Sequence, residues 1–273
     1  MTKFIVRLIF IKCLKAQPIC NDEHKNARYN FCLRLADNNL ILAQRLAEWC
    51  SKGPILEEDL AITNMSLDLF GQAESFYDYA AAVIESNSSA DELAFLRSER
   101  EYLNTLMVEQ PNGDFAFTMM KQMLFSAYTK LLYESLSKSV DRTLAGLSAK
   151  ALKEAKYHLR HSSEWVIRLG NGTNESKERV QFALNELWLF VDDMFAMDEN
   201  DEALITIGVI ENTKDIKPKW LMFIKQILEE ANLQITSNTN SISGGIKGIH
   251  TEHLGHLLCE MQYLQRAYPG AKW

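Results

Sequence analysis

The chain has 273 residues, of which 47% are hydrophobic and 24% charged, with a formal net charge of −7. Those proportions suit a soluble globular protein able to bury a substantial core, and the acidic balance argues against a nucleic-acid partner while leaving room for a local basic patch. Glycine (12) and proline (5) are scarce for this length, which favours long uninterrupted helices over a many-stranded sandwich.

The N-terminal segment carries the apolar run Phe4–Ile11, with Lys3 before it and Lys12 and Lys15 after it. Arg7 interrupts the run and no small-x-small cleavage site follows, so a signal peptide does not fit. It is also far below the roughly 20 apolar residues that span a bilayer, so no membrane is implied. Residues 1–32 are expected to be a disordered or non-native extension, and residues 33–273 a single domain. Five irregularly spaced cysteines (Cys13, Cys20, Cys32, Cys50, Cys259) form no Cys-x-x-Cys pair. They indicate neither a zinc knuckle nor a disulfide framework, and point to a reducing, cytoplasmic compartment.

Asn38 and Asn39 can cap a first helix to about Ser51, with Leu42, Leu46 and Trp49 along one side. Lys52-Gly53-Pro54 ends it. The acids Glu57, Glu58 and Asp59 open a second helix to about Ile84, apolar over a wide arc and hence buried on more than one side. A shorter helix is expected over about 91–105. After the turn Pro111–Asp114, with Asp114 as N-cap, a third long helix reaches about Ser137, and its methionines and aromatics read as core. A fourth runs from about Val140 to Leu169, where Gly170-Asn171-Gly172 stops it. A fifth covers about 175–195. Ile205–Ile210 reads as a short edge strand or a loop. Pro218 suits the first turn of a helix over about 217–231. Ser237–Ile249 reads as a mobile surface loop, and a last helix spans about 251–268. The reading is an all-α bundle of four long helices with accessory helices.

Two of the long helices carry an acid where a carboxylate-bridged di-iron protein keeps ligands. In such bundles Glu-x-x-His on each of two helices sets a carboxylate and an imidazole on one inward face. In Asp68-Leu69-Phe70-Gly71 and Glu154-Ala155-Lys156-Tyr157 the fourth position is Gly71 or Tyr157, not histidine. Asn64, Asp68 and Gln72 make a polar line along a buried helix, which suits a hydrogen-bond network or salt bridge as well as a ligand set. Glu154 and His158 share a helix face and are expected to pair with Asp68, Arg45 or a lysine inside the bundle. Glu48 on the first helix is a further candidate, with Gln44 a poor substitute. From Phe115 to Tyr133 the third helix holds no Asp or Glu at all, which argues against a working metal centre. Glu48, Asp68, Glu154 and His158 are therefore expected to be vestigial ligand positions. His250, His253 and His256 could hold zinc only with an outside ligand. Gly244–Gly248 lacks the Gly-Lys-Ser/Thr ending of a phosphate loop.

Several long strings resemble the PaaC-type subunits of the phenylacetyl-CoA epoxidase family. They include Leu40–Cys50, Asn64–Ala73, Val108–Phe115, Ala155–Arg160, Arg168–Thr173, His250–Gly255 and Glu260–Arg266. The match runs in order over residues 33–273. It implies a ferritin-like four-helix bundle, a structural subunit without catalytic or cofactor-binding residues of its own. It further implies a homologous catalytic subunit holding a di-iron centre, a small subunit, and a reductase that draws electrons from NADPH. Ser126 stands where relatives can carry an acid, removing another polar group from the old site. The competing expectation is an active di-iron carboxylate oxygenase built on Glu48, Asp68, Glu154 and His158.

Overall fold

The computed structural model describes residues 24–236 and 240–271. Four long helices form the bundle: α1 (Lys25–Ala47), α2 (Leu56–Val83), α5 (Phe115–Leu136) and α6 (Arg142–Gly170). Helix α1 packs along α2 and α5 along α6, and α2 also touches α6. Between and after them come α3 (Ala90–Phe95), α4 (Leu106–Glu109), α7 (Asn174–Leu187), α8 (Glu199–Thr206), α9 (Thr213–Glu230) and α10 (Glu252–Ala267). No strand occurs among the described residues. The fold is all-α and ferritin-like, as expected.

The core follows the apolar arcs. Ile41, Leu42, Leu46, Ile62, Met65, Met119, Met120 and Met123 are fully or almost fully shielded from solvent. Trp220 of α9 is buried against α5 and donates its indole N–H to the Leu124 carbonyl at 3.0 Å. Helix ends are set by side chains. Asp114 accepts from Phe117 N at 2.9 Å, the expected cap of α5, and Asp141 accepts from Thr143 N and Leu144 N at the start of α6. Such a cap contributes about 1 kcal/mol.

The structure departs from the sequence expectations where a polar side chain finds a tertiary partner. Helix α1 starts at Lys25, so the boundary expected at residue 32 falls inside it, and Phe31 and Cys32 lie in the core. Residues 1–23 lie outside the described residues. Asn38 and Asn39 are mid-helix rather than caps. Asn38 Oδ1 accepts from Thr105 N at 2.8 Å, and Asn39 reaches Tyr133. The helix expected over 91–105 stops at Phe95 because Arg97 turns inward to Asp37 and Asp37 also takes Leu103 N at 2.9 Å. Trp188–Phe195 forms two 3₁₀ turns in place of helix, placing Asp193 against Leu106 N at 2.8 Å. Residues 205–210 are the end of α8 and a turn, not a strand; Asp198 caps α8 and Arg34 pairs with Asp201 to pin it to α1. Helix α9 begins at Thr213 under an Asn212 cap, so Pro218 sits inside the helix rather than in its first turn.

The glycine-rich stretch is also different from the surface loop expected over residues 237–249. Residues 237–239 lie outside the described residues, but Gly244, Gly245, Ile246 and Gly248 are buried. Gly244 N and Gly245 N donate to Asp193 Oδ1 at 2.8 and 3.2 Å. A Cβ on Gly245 would stand 2.2 Å from the Asn104 carbonyl oxygen, and Gly248 has φ +67° with the Arg100 carbonyl equally close. Only glycine lets the chain pass there.

The Asp37–Arg97 pair joins α1 to the segment after α3. Tyr77 donates its hydroxyl to Asp37, and the Arg97 guanidinium lies over the Tyr102 ring at 4.4 Å from its centroid. Both charged side chains are at most a tenth exposed. Arg97→Ala leaves the Asp37 carboxylate buried without its cation, so it is expected to lose about 3–5 kcal/mol of unfolding free energy in urea titration. A loss below about 1 kcal/mol would mean that the pair is a solvated surface contact in solution.

Candidate functional site

The interior between the four long helices carries one continuous polar chain. Asn39 of α1 donates its amide to the Tyr133 hydroxyl of α5 at 3.0 Å, and that hydroxyl donates to Gln72 Oε1 of α2 at 3.2 Å. Gln72 Nε2 in turn donates to Glu154 Oε2 of α6 at 2.8 Å. Every long helix thus supplies one member, and three of the four are neutral. Burial pushes the Tyr133 phenol well above its ordinary pKa, so it stays protonated and serves only as a hydrogen-bond relay.

Of the sequence-predicted positions, Asp68, Glu154 and His158 lie along the facing sides of α2 and α6, and Glu48 stands apart. Glu48 lies at the end of α1, partly exposed, where its carboxylate takes Arg45 Nη1 at 2.8 Å and Asn112 Nδ2 at 3.1 Å. Asp68 of α2 is half-buried against α6, with Oδ2 3.1 Å from Nε2 of the buried His158. The expected pairing of His158 with Asp68 is therefore present. Glu154 is spoken for by Gln72. Gly71 and Tyr157, the positions where a histidine is wanted, both face outward, and a Cβ on Gly71 would meet nothing within 4 Å. The polar line through Asn64, Asp68 and Gln72 therefore splits: Asn64 is exposed, Asp68 is half-buried and only Gln72 points into the bundle. Ser126 is buried and takes its hydrogen bond from Gln122 Nε2 at 3.1 Å.

A carboxylate-bridged pair of irons does not fit this donor set. Four-helix di-iron sites use a carboxylate from each helix and two imidazoles. Asn39, Gln72 and Tyr133 cannot replace them, and Glu154 is already hydrogen-bonded. No group of three or more His, Cys, Asp or Glu at metal-holding distance occurs among the described residues.

The three histidines near the last helix also separate. His253 is half-buried and His256 exposed. His250 is wholly enclosed: Nδ1 lies 2.9 Å from Glu109 Oε2, and Nε2 lies 2.8 Å from the Tyr102 carbonyl oxygen. Both partners are acceptors, so both ring nitrogens donate and the ring carries a charge. Burial opposes that charge, but the hydrogen bond and charge of Glu109 outweigh it and hold His250 above the usual histidine range. Glu109 further accepts from Asn104 Nδ2, Thr251 N and Thr251 Oγ1. Sequence reasoning had no signal for this cluster, because Glu109 and His250 stand 141 residues apart. It also passed over Lys121, fully buried on α5, whose Nζ donates to the Gln110 carbonyl at 2.7 Å. Burial, helped by the Arg45 charge, pushes Lys121 down to about 7.

Fold and interior together define a ferritin-like helical bundle whose central polar groups are arranged to bond one another. Its family is shown by comparison with known proteins. The chain belongs to the family described as phenylacetic acid catabolic protein (PaaA_PaaC), whose model matches residues 10–273. It is 47% identical over 243 residues to the C subunit of 1,2-phenylacetyl-CoA epoxidase from Escherichia coli (strain K12), covering 89% of this chain and 98% of that protein. The resemblance read from the sequence is borne out, and the chain has its place in phenylacetate catabolism. No helix among the described residues is long and apolar enough to cross a membrane.

Two outcomes check this reading of the site. Gln72→Glu sets two carboxylates at hydrogen-bond distance, so one must bind a proton and its folded pKa rises. The variant is expected to lose about 1–3 kcal/mol at neutral pH and to regain it as the pH falls, measured by urea unfolding at several pH values. For His250→Gln, the gap to the unsubstituted protein is expected to be fully present below about pH 6.5 and to shrink as pH climbs through the raised folded value. A gap that does not change with pH would mean that His250 is neutral.

Proposed function

We propose that the chain is the non-catalytic structural subunit of a bacterial multicomponent di-iron monooxygenase that epoxidises the ring of phenylacetyl-CoA in aerobic phenylacetate degradation. A homologous catalytic subunit holds the di-iron centre, and a small subunit and a reductase that uses NADPH complete the cytoplasmic assembly. The observation that carries the reading is the chain Asn39–Tyr133–Gln72–Glu154. It fills the centre of the bundle with amides and a phenol bonded to one another, where an oxygenase needs carboxylates and imidazoles free to bind metal. The high identity to a protein named as part of an epoxidase supports the hetero-oligomer.

The competing enzyme reading needs Glu48, Asp68, Glu154 and His158 to gather around iron. Glu48 is engaged with Arg45 at the end of α1, Asp68 with His158 and Glu154 with Gln72.

Purification from iron-replete cells, with and without the catalytic homologue, separates the two readings. The supporting role predicts metal only in preparations containing the homologue, co-elution of both chains on size exclusion at micromolar concentration, and no oxygen consumption by this chain alone. Stoichiometric iron with substrate-dependent oxygen uptake in the isolated chain would overturn it.

A further inference from the structure

The outward face of the bundle formed by α2 and α6 carries a regular stripe on each helix. On α2, Leu60, Asn64, Leu67 and Gly71 repeat at steps of four, three and four, with Leu60 and Leu67 more than half exposed. On α6, Gly146, Lys150, Lys153, Tyr157 and Arg160 repeat at four, three, four and three. That alternation is the interval at which one helix meets another packed along it.

Two further observations say what covers this face. Gly71 and Gly146 stand in the interiors of long helices, where glycine is unfavourable relative to alanine. A Cβ at either would meet nothing within 4 Å, so nothing in this chain calls for glycine there. A missing side chain lets a foreign backbone approach closely. The second observation is charge. Arg142, Lys150, Lys153, Lys156, Arg160 and Arg168 all point outward from α6, on a chain whose net charge is −7. Among the described residues none of the six pairs with a carboxylate. They are strung over about seven turns along one side of α6, with Glu164 the exposed acid among them, which suits an extended acidic surface rather than one phosphate group.

We propose that α2 and α6 together form the docking face for the homologous catalytic subunit, whose complementary face is apolar along a central seam and acidic beside α6. The inference rests on the supporting role proposed above and adds the surface and its chemistry.

The test uses the complex co-expressed with the catalytic homologue. Gly71→Leu and Gly146→Leu add bulk in open space, so each isolated variant is expected to keep or raise its melting temperature while its dissociation constant for the partner rises at least about 100-fold, a coupling of about 2.7 kcal/mol. The triple change Lys150→Glu, Lys153→Glu, Arg160→Glu alters only exposed positions. It is expected to weaken the complex at low salt and to abolish the salt dependence shown by the unsubstituted protein. If the unsubstituted protein co-elutes with the homologue and all these variants do so equally well, the docking face is wrong and the supporting role stands. If the unsubstituted protein never co-elutes, the supporting role falls and this inference falls with it.

Discussion

A polar group held inside a helical bundle must find a partner inside the bundle, and Tyr133 is where that requirement is met for all four long helices. Its hydroxyl receives Asn39 and gives to Gln72, and Gln72 holds Glu154. Unpaired, each of these groups would cost about 1–3 kcal/mol. Paired with one another they need no ion, and the carboxylate of Glu154 lies against an amide donor. Of the positions that could have gathered ligands only Glu154 belongs to this network, whose four members tie α1, α2, α5 and α6 together.

The ends of the bundle follow the same rule with charges. Asp37 with Arg97, Asp201 with Arg34 and Glu109 with His250 each tie a long-helix or α4 residue to a segment far along the chain. Glu109 and Asp193 fasten the stretch from Gly244 to Thr251, and Arg45 reaches the His253 carbonyl at 3.1 Å, so the start of α10 is bonded to α1 and α4. The accessory elements are therefore anchored by buried, directional bonds that accept one geometry only.

Much of this was legible in the sequence. The long apolar arcs located α2, α5 and α6 within a few residues, and Asp114 announced its own helix. The stretch without acids from Phe115 to Tyr133 and the absent histidines at 71 and 157 pointed to an incomplete ligand set. What could not be read is which polar residues face inward. Asn39 looked like a cap because asparagine favours helix starts, and only the position of Tyr133, 94 residues away, gives its amide a better use. Asp68 and Gln72 differ by one turn, yet the small rotation between them leaves one half-buried against His158 and the other in the core. Periodicity locates a face to within about a residue, and the interior of this bundle is decided at that level.

The central claim is that the bundle's interior bonds itself and leaves no place for irons. Crystals of the assembled epoxidase, measured on either side of the iron absorption edge, test it directly. The account predicts anomalous difference peaks only within the catalytic subunit, with none between Gln72 and Glu154 of this chain. A pair of peaks there, with Asn39 and Tyr133 swung aside, would contradict it.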